Sequence, residues 1–108
     1  MKTIQLPNIE RPVSQICLGT AYLGSREDEQ TSFAIMDAYF EHGGRFFNTA
    51  HEYGEGLSEK TVGKWIRQRG VRSQIMLTSK CGEDHKKPGM LTKKTPEEAF
   101  TSSGDICF

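Results

Sequence analysis

Three short apolar segments of strand length are separated by two stretches with helical periodicity. This alternation constrains the fold more than any other feature of the chain. The segments lie at residues 14–18, 45–48 and 74–79. The last has a continuous apolar centre, Ile75-Met76-Leu77, which is typical of a parallel strand covered on both faces. Strands that alternate with helices in this way predict an α/β fold with a parallel sheet.

The residues on either side of this pattern predict two further elements. Residues 3–6 and 9–13 flank Pro7-Asn8, a dipeptide suited to a turn, and predict a small N-terminal hairpin. Near the other end, Thr95-Pro96-Glu97-Glu98 predicts the start of a third helix. Residues 101–108, TSSGDICF, do not continue that helix, and we expect them to form a divergent tail.

The first predicted helix has well-marked ends. Glu27, Asp28 and Glu29 place negative charge in its predicted first turn, where the helix dipole favours it. Gly43-Gly44 predicts its end. Its buried face is predicted from apolar residues spaced by three and four, namely Phe33, Met36 and Phe40.

The second predicted helix begins with Ser58 as its N-cap, followed by Glu59 in the first turn. Gly70 follows two arginines and predicts its end. Its buried face is predicted to consist of Val62, Trp65 and Ile66. Trp65 is therefore expected in the core.

Charge and hydropathy exclude several classes of function. The chain has 108 residues, with 14 lysines and arginines against 14 acidic residues, and its formal net charge is zero. A basic stripe for phosphate backbones is missing, so nucleic acid is not an expected partner. No apolar run approaches the length of a membrane span, and the charged, proline-containing N-terminus does not resemble a signal peptide. We expect a cytoplasmic protein that does not bind membranes.

The cysteines indicate neither disulfides nor a metal site. Cys17, Cys81 and Cys107 are odd in number, far apart and without a CxxC pair. The segment CGEDH at residues 81–85 holds a thiol, two carboxylates and an imidazole, but its spacing fits no standard ligand pattern. We expect no bound metal.

Polar residues follow each predicted strand of the parallel sheet. They are Gly19-Thr20, residues 48–53 and Lys80. In a parallel barrel the active site lies at the carboxyl ends of the strands, so these positions are candidates for chemistry. Taken alone, Tyr53 in a glycine-flanked loop is more often a packing residue, and Lys80 is more often a surface lysine.

A longer motif changes that balance. The segment FFNTAHEYGEGLSEKTVGKWIRQRG resembles the signature of the aldo-keto reductase family, in which a strand ends in Asp-Thr-Ala and a Tyr-Gly follows. LGTAYLG, residues 18–24, is similar to that family's first barrel loop, and residues 75–80 are similar to its strand that ends in a catalytic lysine. The resemblance covers most of residues 3–100 in the family's order.

The resemblance implies a fold and an activity. The fold would be a partial TIM (β/α)8 barrel with an N-terminal hairpin and about three βα units. The activity would be hydride transfer from NADPH to an aldehyde or ketone, with Tyr53 as proton donor and Lys80 lowering the phenol pKa from about 10. Gly19, Thr20 and Asn48 would contact the cofactor.

The resemblance also places two residues near the substrate. Tyr22 belongs to the first loop, and His51 lies inside the motif. His51 as a pocket residue and His51 as a solvent-exposed loop residue are equally consistent with the sequence.

Two departures from the family pattern lead us to expect little activity from residues 1–108 alone. Asn48 occupies the position of the family's Asp and brings no negative charge to Lys80. A buried lysine without a counter-ion is disfavoured in its charged form. The family's histidine, which follows its fourth strand, has no counterpart. We therefore expect an incomplete reductase domain, or alternatively a catalytically silent relative that self-associates or binds a partner through an open sheet edge.

Overall fold

A computed structural model describes residues 1–81 of the chain. The strands and α-helices, in chain order, are β1 (Thr3–Ile4), β2 (Val13–Ser14), β3 (Leu18–Gly19), α1 (Glu29–Glu41), β4 (Phe46–Asn48), α2 (Leu57–Arg69) and β5 (Met76–Thr78). Short 3-10 helices, Tyr53–Gly56 and Arg72–Gln74, precede α2 and β5. Strands β3, β4 and β5 form a parallel sheet in that order, and β1 pairs antiparallel with β2. The predicted alternation and the hairpin are confirmed. The third predicted helix and the tail at 101–108 lie outside the described residues.

The strands are shorter than predicted, and one of them begins later. The segment predicted at residues 14–18 contributes only Leu18 to β3, because Ser14 belongs to the hairpin. Ser14 is fully buried, and its hydroxyl accepts a hydrogen bond of 2.9 Å from the backbone N–H of Arg45. Since Arg45 directly precedes β4, the hairpin lies at the amino end of the sheet, and the carboxyl end is left to the candidate site residues.

Helix α1 begins one residue after its cap. Asp28 is the N-cap, and its carboxylate accepts a hydrogen bond of 2.7 Å from the backbone N–H of Thr31. That bond lowers the pKa of Asp28. Glu29 is the first helical residue, so the prediction that Glu27 and Asp28 also lie in the first turn is wrong. Asp28 caps the helix, and a capping side chain precedes the turn that it caps.

Helix α2 begins at Leu57, and its N-cap is Gly56 with φ 95°. The prediction that Ser58 is the N-cap is therefore wrong. The physical reason is that the Ser58 hydroxyl turns into the protein, where it donates to the Thr20 carbonyl at 2.7 Å. The end of the helix is as predicted, because Gly70 adopts the left-handed conformation that closes it.

The core lies between the sheet and the two helices. Trp65 and Met36 are fully buried, and the Trp65 ring packs on Phe47 of β4 at 5.2 Å between centroids. Burial of a large apolar side chain contributes about 1.5–3 kcal/mol. The predicted helix faces are confirmed, since the other members of both stripes are buried or packed against this cluster.

Asp37 joins the two helices above that core. Its carboxylate accepts a hydrogen bond of 2.8 Å from the indole N–H of Trp65 and forms an ion pair of 2.7 Å with Arg69. The Arg69 guanidinium holds the pKa of Asp37 below its usual value. Neither helix, within residues 1–81, is long and apolar enough to cross a membrane.

Candidate functional site

The carboxyl ends of the three parallel strands lie side by side. Gly19 of β3 is in register with Asn48 of β4, and Asn48 is in register with Thr78 of β5. The chain remains paired beyond the strands, because the backbone N–H of His51 donates to the carbonyl of Lys80 at 2.8 Å. Residues 48–53 and 78–80 therefore run together past the edge of the sheet.

The structure brings together the three predicted catalytic residues. The Lys80 ammonium donates to Asn48 Oδ1 at 2.6 Å and to the Thr49 carbonyl at 2.9 Å. The same nitrogen lies 4.9 Å from the centroid of the Tyr53 ring. A cation at this distance from an aromatic ring is attracted to it. The arrangement can hold a phenol and an ammonium next to each other at one rim of the sheet.

The environment of Lys80 differs from the one assumed for a buried lysine. Its side chain is exposed in the structure, so the desolvation argument does not apply to residues 1–81. Asn48 accepts a hydrogen bond from it as expected. No carboxylate of the described residues forms an ion pair with Lys80, so the described part of the site has a cation without a matching anion.

The predicted cofactor residues differ in accessibility. Gly19 is exposed, and a Cβ at this position would have no heavy atom within 4 Å. Thr20 is fully buried, and its hydroxyl donates to the Asn48 carbonyl at 3.1 Å and contacts the Ser58 hydroxyl at 2.9 Å. Open space therefore adjoins Gly19, while the Thr20 side chain holds the strand ends together.

The two predicted pocket residues lie on different loops. Tyr22 is 54% exposed, and the Arg26 guanidinium stacks 4.2 Å from its ring centroid. His51 is half-buried, and its Nδ1 lies 3.7 Å from Glu59 Oε2. His51 is thus neither freely exposed nor in the core.

Cys17 is a further nucleophilic side chain influenced by this site. Partial burial raises the pKa of its thiol, and the positive charge of Lys80 acts in the opposite direction. Among residues 1–81, no group of three or more metal-binding side chains comes together. The acidic and histidine positions of the 81–85 segment lie outside the described residues.

Sequence reasoning missed the polar residues beneath the site. Ser58 and Glu59 are buried, and their hydroxyl and carboxylate contact the strand ends rather than solvent. Both lie three or four residues before Val62, on the stripe that also carries Ile66. Helical periodicity could have placed them on the inner face of α2, whereas their polarity suggested only an N-cap and a first-turn carboxylate.

Comparisons with known proteins identify the family of the chain. The model of the Aldo/keto reductase family matches residues 15–106. The uncharacterized oxidoreductase YrpG of Bacillus subtilis is 43% identical over 76 residues, which cover 66% of this chain and 23% of that protein. The chain therefore spans about a quarter of the length of this curated relative.

Solved structures of aldo-keto reductases match the fold of the chain. Aldo-keto reductase AKR11C1 of Bacillus halodurans, in its holo form, matches with a TM-score of 0.69 at 33% identity over 85% of this chain and 30% of its own. An aldo-keto reductase of Klebsiella pneumoniae in complex with NADPH matches with a TM-score of 0.56 at 36% identity, over 63% of this chain and 24% of its own. The family match covers most of the chain, and its hairpin and parallel βα units match the aldo-keto reductase barrel. This chain therefore belongs to the aldo/keto reductase family of oxidoreductases.

Proposed function

We propose that this chain is part of an NADPH-dependent reductase that converts an aldehyde or ketone to an alcohol. The observation that carries the proposal is the contact of the Lys80 ammonium with both Asn48 Oδ1, at 2.6 Å, and the Tyr53 ring, at 4.9 Å. A phenol beside a cation is suited to giving up a proton, because the cation stabilises the phenolate that remains.

The residues at the strand ends fit a nicotinamide cofactor. NADPH supplies a hydride to the carbonyl carbon when it is bound. The open space at Gly19 would let a flat ring approach the backbone, and Asn48 is in register with Gly19 on the neighbouring strand. Thr20 contributes by fixing these two strand ends, since its hydroxyl is already bonded to the Asn48 carbonyl.

The remaining roles follow from position. Tyr53 donates its proton to the carbonyl oxygen as the carbon gains the hydride, so the products are the alcohol and the oxidised cofactor. Lys80 stabilises the phenolate, and Asn48 orients Lys80 by a hydrogen bond without adding charge. Tyr22 and His51 would flank the substrate from the two loops.

Two measurements test the proposal. NADPH is titrated against the 108-residue chain, with nicotinamide fluorescence as the signal. Then residues 1–81 replace the matching segment of AKR11C1, and reduction of an aromatic aldehyde by NADPH is followed. Tyr53→Phe should lower turnover of this hybrid by about 10²–10⁴-fold, the usual contribution of general acid catalysis. Asn48→Asp should raise it. A Tyr53→Phe hybrid as active as its parent would refute the assigned role.

One observation favours the second candidate, a silent chain that pairs through its sheet edge. Strands β3 and β5 each have one hydrogen-bonded neighbour in the described sheet, and Ile16, just before β3, is 61% exposed. Edge strands of this kind pair readily with another chain. Sedimentation of the 108-residue chain tests this: a dimer that dissociates on Ile16→Lys and does not bind NADPH would favour the second candidate. A monomer would exclude self-association.

A further inference from the structure

Glu59 is a buried carboxylate that the proposed reaction does not use. It lies in the first turn of α2 and is 1% exposed. Its Oε1 accepts a hydrogen bond of 2.5 Å from the Ser79 hydroxyl. Its Oε2 lies 3.7 Å from His51 Nδ1 and has no hydrogen-bond partner among residues 1–81. Burial of a carboxylate with an unsatisfied oxygen is costly.

The two contacts of Glu59 reach the two segments that carry the candidate site. Ser79 directly precedes Lys80, and His51 lies between Asn48 and Tyr53. The segments are also joined directly, by the hydrogen bond from the His51 N–H to the Lys80 carbonyl. Glu59 connects both segments to helix α2, whose inner face is packed in the core.

A purely structural role explains this residue poorly. Neighbours on the same inner face, Val62 and Ile66, are apolar and buried, and an apolar side chain of similar size would fill the space without a desolvation cost. A carboxylate differs from such a side chain because its contacts are directional: one oxygen accepts the Ser79 hydroxyl, and the other faces His51 Nδ1 at 3.7 Å. Its contacts therefore bear on the geometry of the site more than on the stability of the fold.

We propose that Glu59 is a positioning residue that sets the distance between Lys80 and Tyr53 through Ser79 and His51. The proposal rests on the function proposed above, since it assigns Glu59 to the same pair. Glu59 itself lies beneath the rim and is not assigned contact with substrate or cofactor.

The test uses the whole 108-residue chain and needs no turnover. In a sample with ¹³C-labelled lysine, the ε-methylene protons of Lys80 should resonate upfield of those of exposed lysines, because Lys80 lies beside the Tyr53 ring. The Lys80→Arg variant identifies the signal, and Tyr53→Leu removes the ring and should abolish the upfield shift. Glu59→Ala should move the signal towards the position seen in Tyr53→Leu.

Two further variants separate positioning from folding. Glu59→Gln keeps an acceptor for the Ser79 hydroxyl and should retain most of the shift. Ser79→Ala removes one hydrogen bond and should reduce the shift even if Glu59→Ala fails to fold. Glu29→Ala is the matched control, because Glu29 is an exposed first-turn carboxylate of α1 that pairs with Lys64 at 2.8 Å. It should leave the Lys80 signal unchanged.

The outcomes are distinct from those of the reductase assay. A Lys80 signal that stays in place in folded Glu59→Ala, or in Ser79→Ala, would overturn the positioning role, whatever the loss of stability. A Glu59→Gln shift as small as that of Glu59→Ala would also overturn it. Either result could occur while Tyr53 and Lys80 still act in catalysis. Conversely, the hybrid enzyme could be inactive while the Lys80 signals still support the positioning role of Glu59.

Discussion

Restoring a carboxylate at position 48 tests how much the missing charge contributes to the site. In the structure the Lys80 ammonium lies 2.6 Å from Asn48 Oδ1 and is held a second time by the Thr49 carbonyl at 2.9 Å. Asn48→Asp changes this neutral acceptor to a charged one of the same shape. The perturbation therefore adds an ion pair with little change in packing.

The expected magnitude is modest because Lys80 is exposed. Exposed ion pairs contribute about 0.2–1 kcal/mol, and part of their usual cost is the ordering of two long side chains. Lys80 is already ordered by its two hydrogen bonds, so we expect a gain in the upper half of that range, about 0.6–1 kcal/mol. For a domain of this size, that corresponds to a rise of about 2–8 °C in Tm.

The assay is a double-mutant cycle that combines Asn48→Asp with Lys80→Met. Urea unfolding is followed by the fluorescence of Trp65, the single tryptophan of the chain and a fully buried one. The gain should appear only when Lys80 is present, and it should shrink in about 1 M salt, where the Debye length is about 3 Å. An equal gain in the Lys80→Met background, or a gain that is insensitive to salt, would refute the reasoning.

Three further predictions concern the fold. A Cβ at Gly44 would overlap the Tyr39 ring, so Gly44→Ala should lower the free energy of unfolding in urea by about 1–3 kcal/mol. A Cβ at Gly19 meets open space, so the control Gly19→Ala should change that free energy by no more than about 0.5 kcal/mol. The Thr31 backbone N–H lowers the pKa of Asp28, so the contribution of this cap to stability is present above the usual Asp pKa and is lost as pH falls through the lowered value. Asn at this position is uncharged and caps at all pH values. Asp28→Asn should therefore weaken the fall of the urea midpoint on the acid side. Ser58→Ala removes a buried donor and should cost about 1–3 kcal/mol by the same unfolding assay, and no loss would show that its hydrogen bonds are dispensable.

The candidate site was predictable in part. Asn48 ends an apolar strand and Lys80 closely follows another, so a parallel arrangement of the two strands places both residues at one rim. Tyr53 required the family motif, because loop length and direction are not fixed by strand position. The expectation of a disfavoured charge at Lys80 assumed a buried side chain, and the sequence left its exposure open, since burial depends on which elements cover a strand end.

The sequence by itself determined the order and type of the elements. Periodicity and glycine placement are local properties. The apolar stripes that contain Met36 in α1 and Trp65 in α2, and the end of α2 at Gly70, could therefore be assigned without knowledge of distant partners. Only the tertiary structure decided what buried polar residues do. Ser58 and Glu59 find their partners up to 38 residues away in the chain, and such contacts depend on how the strands and helices pack.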